Sequence, residues 1–233
     1  MNAIVTGATK GIGFAISEQL LSEGYNLAIC SRNERELEQV IEKWQNDYPS
    51  LEILGIVCDV SIKDQVEDFA SKVLSKFIEI DVLVNNAGVF FPGELLEEKE
   101  GVLDQMIQTN LMSAYHLTRR VGPVMKERGK GHIFNMCSIA SQIAYPNGGS
   151  YSISKFALLG FSKVLREELK GHGVKVTSIL PGATWSNSWS GVDLPESRLM
   201  KSEDIAIVVS QALKMSPSAV IEEIVIRPQL GDL

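Results

Sequence analysis

Asn2-Ala-Ile-Val-Thr-Gly7-Ala-Thr-Lys-Gly11-Ile-Gly13 is the stretch on which the fold turns. Asn2–Thr6 is a short apolar run that stops at glycine, the pattern of a buried strand. Beyond the glycines, Phe14, Ala15, Ile16, Leu20 and Leu21 recur at helical spacing. A glycine-rich turn therefore leads from a strand into a helix. Glycines at such a turn accept positive φ and let the backbone approach a ligand closely. The helix N-terminus offers free N–H groups and a partial positive charge, which suit a pyrophosphate. The spacing is Gly-x-x-x-Gly-x-Gly, which departs from the Gly-x-Gly-x-x-Gly of many dinucleotide-binding proteins. An ordinary tight turn is the plain alternative. The strand before it and the helix after it favour phosphate binding by Gly7, Thr9, Lys10, Gly11, Ile12 and Gly13.

Outward from this unit the alternation continues. Apolar runs at 26–30, 51–57, 81–84, 132–137, 174–180 and 221–226 read as further strands. Helical periodicity fills the intervals, including segments at 97–108 and 109–126, a helix from Tyr151 to about 169, and one at 202–213. Seven strands alternating with helices predict an α/β fold, a doubly wound parallel sheet of the Rossmann type. No linker, internal repeat or low-complexity segment interrupts it, so residues 1–233 read as a single domain.

The second strand ends at Ser31-Arg32. In NAD-binding units an acidic residue near this point holds the ribose 2′-hydroxyl. Nothing acidic stands at that strand end to repel a 2′-phosphate, and the planar fork of Arg32 can pair with one. Lys10 can reach the same phosphate from the glycine turn. Ser31, Arg32 and Lys10 together point to NADP(H) rather than NAD(H). Asp59-Val60 closes the third strand, where Asp59 can accept from an adenine amino group and also cap the helix starting near Ser61. Asn85-Asn86-Ala87-Gly88 ends the fourth strand; its amides can brace neighbouring strands and its small residues permit close passage of a cofactor.

Tyr151 and Lys155 stand one helical turn apart on one face. An ammonium beside a phenol favours the phenolate, which predicts a lowered tyrosine pKa and a group able to give or take a proton. The spacing alone also fits a plain surface pair; the surrounding chain decides. Ser138 closes the fifth strand, and Asn110 interrupts a helical run where it can mark a kink or a water site. Residues 183–202, irregular and bearing Trp185 and Trp189, read as a substrate loop. Apolar Phe156, Leu159, Val164 and Leu165 on the long helix are candidates for a subunit contact.

Composition narrows the partners. A net charge of -7 argues against nucleic acid, which requires clustered positive charge. No apolar run reaches the roughly 18 residues that span a bilayer, and the opening residues carry no basic leader. The expectation is a cytoplasmic protein with no membrane partner. Cys30, Cys58 and Cys137 lack metal-ligand spacing, and His116, His132 and His172 are scattered, so no metal site is expected.

Taken together, Thr6-Gly-Ala-Thr-Lys-Gly-Ile-Gly13, Asp59, Asn85-Asn-Ala-Gly88, Asn110, Ser138, Tyr151-x-x-x-Lys155 and Pro181-Gly182 resemble the short-chain dehydrogenase/reductase family, in its order and at its separations. The resemblance implies a catalytic tetrad of Asn110, Ser138, Tyr151 and Lys155, strand order 3-2-1-4-5-6-7, and a homodimer or homotetramer. It implies NADP(H) contacts that also include Asn86, Ala87, Gly88, Tyr151, Lys155, Pro181, Gly182, Thr184 and Ser186. Ser186 stands where the family often has threonine. The implied activity is reduction of a small ketone or aldehyde to an alcohol. The alternatives are NAD-linked alcohol oxidation and a non-catalytic nucleotide-binding sensor.

Overall fold

A computed structural model of the protein describes residues 1–185, 195 and 198–231. Strands β1 (Asn2–Thr6), β2 (Asn26–Ser31), β3 (Ile53–Val57), β4 (Val82–Asn85), β5 (Gly131–Met136), β6 (Val174–Pro181) and β7 (Glu223–Ile226) form one sheet in the order β3-β2-β1-β4-β5-β6-β7. Every pairing is parallel, with Val5 opposite both Ile29 and Val84. The expected strand order is therefore the one observed.

A parallel sheet is covered on both faces, which is why its central strands are almost wholly apolar. Side chains of β1 alternate between the two layers. Ala3 and Val5 join a cluster with Ile16 and Leu20 of α1 (Gly11–Ser22), Leu37 and Trp44 of α2 (Glu34–Asp47), and Ile205 and Val209 of α7 (Ser202–Leu213). Ile4 joins the opposite cluster, with Phe69 and Val73 of α3 (Lys63–Lys76) and Leu117 and Val121 of α5 (Ser113–Arg128). The chain reverses its direction of growth between β1 and β4, and such a switch point opens a crevice at the carboxyl ends of the strands.

Two helical expectations change. The segment read as helix over 97–108 contains only α4 (Val102–Ile107), because Gly101 enters it with φ 86° and the residues before it form turns. The kink expected at Asn110 is a π-helical turn, Gln108–Met112, between α4 and α5. Strand ends also move: β2 extends to Ser31, β3 starts at Ile53 and β7 starts at Glu223. Of the expected substrate loop, Thr184 pairs with Met200, and Trp185 N donates to the Met200 carbonyl at 2.8 Å. Ser186 and Trp189 lie outside the described residues.

Candidate active site

The glycine turn is held in shape from β4. Asn86 Nδ2 donates to the carbonyls of Thr6 and Gly7 at 2.9 and 3.0 Å. The Thr6 hydroxyl accepts from the backbone N–H of Asn86 and of Ala87, each at 3.0 Å. Asn86 thus acts on the turn as a brace. Gly7 and Gly11 take φ of 65° and 59°, a region that disfavours other residues. A Cβ on Gly13 would lie 2.3 Å from the Gly7 carbonyl oxygen and 2.4 Å from Asn86 Nδ2. The first turn of α1 has no side-chain cap and no acidic residue. A bare backbone cradle with uncapped N–H groups fits the pyrophosphate of a dinucleotide.

The rim of the cradle differs from the sequence expectation. Lys10 Nζ lies 3.7 Å from Glu36 Oε2, and the Thr9 hydroxyl donates to the same oxygen at 3.4 Å. An acidic group therefore does stand beside the proposed 2′-phosphate position, brought back by the first turn of α2. Its signal was available: Asn33-x-x-Glu36 is a helix-start pattern, and Asn33 Oδ1 does accept from Glu36 N at 3.2 Å. Arg32 is exposed, and the Ser31 hydroxyl accepts from Asn33 N at 3.2 Å. Asp59 Oδ1 accepts from the N–H and the hydroxyl of Ser61, at 2.9 and 2.7 Å. It closes the turn ahead of α3, whose cap position is Ile62, while Val60 is half-buried beside it.

Across the crevice, α6 (Gly149–Leu169) carries Tyr151 in its first turn and Lys155 one turn later. The Ser138 side chain stands close enough to the Tyr151 hydroxyl to pull its pKa down. Ser138 itself starts a short 3-10 turn, with its Oγ accepting from Ala140 N at 3.1 Å. Lys155 Nζ lies 5.7 Å from the centre of the Tyr151 ring and donates to the Met136 carbonyl at 2.8 Å. Asn110 is buried, and its amide bonds both the N–H and the carbonyl of Val89, at 2.7 and 3.0 Å. Asn110 Nδ2 also donates to Ser154 Oγ at 2.9 Å, and that hydroxyl donates to the Tyr151 carbonyl at 2.7 Å. A Cβ on Gly88 would meet Asn110 Oδ1 at 3.2 Å and Lys155 Nζ at 3.6 Å, which puts the small Ala87-Gly88 step between the cradle and these two side chains. The four expected catalytic residues converge.

The expected acidification of the phenol is overruled by burial. Desolvation pushes the Tyr151 phenol above its ordinary value, and the neighbouring Ser138 side chain pulls it back only in part. Burial also lowers the Lys155 ammonium to about 8. Tyr151 is thus a protonated acid at neutral pH, while Lys155 is poised close to neutrality.

The strand ends behind the site are tied together by buried polar groups. Asn85 Nδ2 donates to Thr118 Oγ1 at 3.0 Å and to Asn135 Oδ1 at 2.8 Å. Asn135 Nδ2 donates onward to Ser162 at 3.0 Å, bracing the strands as the sequence reading of the amides expected. Pro181 ends β6, Gly182 N donates to the Ile226 carbonyl at 2.8 Å, and buried Thr184 donates to the Gly182 carbonyl at 3.0 Å. Among the described residues no cluster of His, Cys, Asp and Glu could hold a metal ion. No helix among them is long and apolar enough to cross a membrane.

Comparison with known proteins agrees with this geometry. A family model described as short chain dehydrogenase matches residues 1–194. A sepiapterin reductase of Chlorobaculum tepidum is 31% identical over 238 residues, covering 99% of this chain and 97% of that protein. Among solved structures, an alcohol dehydrogenase of Thermococcus sibiricus complexed with 5-hydroxy-NADP superposes with TM-score 0.92 at 29% identity, covering 100% of this chain and 98% of that one. A metagenomic short-chain oxidoreductase in complex with NADP gives TM-score 0.84 at 33% identity, covering 98% and 97%.

Proposed function

The chain belongs to the short-chain dehydrogenase family, and from that membership we propose an NADP(H)-dependent oxidoreductase that reduces a ketone or aldehyde to an alcohol, with Tyr151 as the proton donor. One observation carries the reading: Tyr151 stands beside Ser138 and lies against Lys155, across the Ala87-Gly88 step from a glycine cradle fit for a dinucleotide. Lys10 and Arg32 at the rim of that cradle support the phosphorylated cofactor, as do the NADP-type ligands of the two solved relatives.

The glycine turn, Asn86-Ala87-Gly88 and the Pro181-Gly182 corner would hold the cofactor, which when bound would supply the hydride. The chain's own residues manage the proton. Ser138 Oγ can donate to the substrate carbonyl oxygen and orient it toward Tyr151. Tyr151, kept protonated by burial, delivers its proton to that oxygen as negative charge develops there. A protonated phenol at neutral pH suits reduction better than oxidation. Lys155, lowered to about 8, stabilises the phenolate left behind and can return a proton to it. The Asn110 side chain is engaged by Val89 and Ser154, so its part is to shape this pocket and steady the backbone of Tyr151.

Residues 183–202 are read as the substrate loop of one domain spanning 1–233. Exposed Ile153, Phe156 and Val164 on one face of α6 support a homodimer or homotetramer. The test is Tyr151→Phe, which keeps the ring and removes the proton. Carbonyl reduction, followed by NADPH absorbance, should fall by about two to four orders of magnitude, with NADPH affinity retained. Near-normal turnover in that variant would remove Tyr151 from the reaction.

A further inference from the structure

Helix α6 has no cap of its own. Gly148 stands at the cap position and offers no side chain, although helices ordinarily recruit Ser, Thr, Asp or Asn there. The missing acceptor comes from far away in the chain. Glu98 Oε1 accepts from Ser150 N at 2.9 Å, and the buried Ser150 hydroxyl donates to Glu98 Oε2. The carboxylate also lies where the helix dipole favours negative charge.

Glycines make room for it. A Cβ on Gly149 would stand 2.2 Å from Glu98 Oε1 and 2.7 Å from the Gly93 carbonyl oxygen. The segment that delivers Glu98 lies along the start of the helix, with Gly93 paired to Gly148 and Gly93 N donating to the Asn147 carbonyl at 3.1 Å. At its other end, Asn110 grips both backbone groups of Val89. Between these anchors Phe90 meets the Tyr151 ring edge-on, with centroids 4.8 Å apart. The residue that Glu98 grips, Ser150, is the immediate neighbour of Tyr151.

We propose that Glu98 is a positioning residue for Tyr151: by bonding Ser150 it fixes the first turn of α6 and holds the 89–98 segment, with Phe90, against the tyrosine ring. The claim rests on the reading of Tyr151 as proton donor. A displacement of about 1 Å at a reacting group can cost on the order of a hundredfold in rate, so loosening this turn should appear in kcat.

The variants are Glu98→Ala, Glu98→Gln and Gly149→Ala, assayed for NADPH-dependent carbonyl reduction. Glu98→Ala should lower kcat by about tenfold to a hundredfold and leave the KM for NADPH within about twofold. Glu98→Gln keeps an acceptor for Ser150 N and should recover most of kcat. Gly149→Ala displaces the carboxylate and should resemble Glu98→Ala. An unchanged kcat in Glu98→Ala overturns the proposal. So does a Glu98→Gln enzyme as impaired as Glu98→Ala, or a parallel loss of NADPH affinity. Amide hydrogen exchange separates this claim from the one beneath it. If the wild type shows no reductase activity, faster exchange at Ser150 and Tyr151 in Glu98→Ala still supports the latch, and unchanged exchange refutes it.

Discussion

Glu36→Gln offers a test of how the cofactor rim works. The wild-type carboxylate faces Lys10 at 3.7 Å, with the two side chains 41% and 56% exposed. A pair that open contributes about 0–1 kcal/mol to stability, so the variant should melt close to the wild type. Gln retains an oxygen for the Thr9 hydroxyl, which leaves the turn itself undisturbed. Binding is where the charge counts. A 2′-phosphate drawn to Lys10 would come to rest roughly 7 Å from the Glu36 carboxylate. With a water-like dielectric, each unit of phosphate charge is repelled there by ~0.6 kcal/mol, hence about 1 kcal/mol for a dianion. Removing the carboxylate should therefore tighten NADPH by about three- to tenfold and leave NADH, which lacks that phosphate, unchanged. Fluorescence titration of both cofactors reads this directly. Raising the salt to about 1 M, where the Debye length is about 3 Å, should erase most of the difference. Equal gains for NADPH and NADH would refute the electrostatic reasoning. Weaker NADPH binding would show that Glu36 presents Lys10 to the phosphate rather than competing with it.

Two further outcomes follow from other parts of the molecule. Gly13→Ala sets a methyl group 2.3 Å from the Gly7 carbonyl oxygen, which backbone cannot yield cheaply; melting should show a loss of about 1–3 kcal/mol, and NADPH titration a drop of at least about tenfold. Burial holds His132 at about 3, below its ordinary 6.5, so between those values the unfolded chain binds the additional proton and stability falls as pH drops through 6.5 toward 3. The loss should be on the order of a few kcal/mol, and His132→Asn, which keeps a polar partner for Thr177, should flatten the acid side of a stability profile from urea melts.

Much of this was legible because parallel sheets write themselves plainly. The central strands are largely apolar, glycine follows β1 and proline closes β6, and the site gathers along the carboxyl ends of the sheet. The spacing of Tyr151 and Lys155 needs only helical geometry, and helix α7 was bounded correctly by its periodicity alone. What escaped depended on distance in space. Glu36 lies five positions past the strand end where the acidic residue was sought, and the first turn of α2 folds it back. Glu98 has no local signature, since its partner Ser150 is 52 positions away. The Tyr151 pKa went astray for a related reason: spacing announces the lysine, whereas the desolvation that outweighs it is a property of the packed interior. The stretch before α4 was mistaken for helix because periodicity does not register a left-handed glycine at Gly101.

The wide turn at Gln108–Met112 has an implication for how this chain can vary. Each residue of an α-helix advances the spiral by about 100°, so a π turn amounts to one amino acid in excess, which throws α4 and α5 out of phase. Deleting any one of its residues other than Asn110 would bring the two helices back into α-helical phase. It would also rotate the Asn110 amide away from Val89 and release the strand-to-loop corner it grips. The irregularity is thus a local fault whose repair would make a tidier helix and dismantle the site.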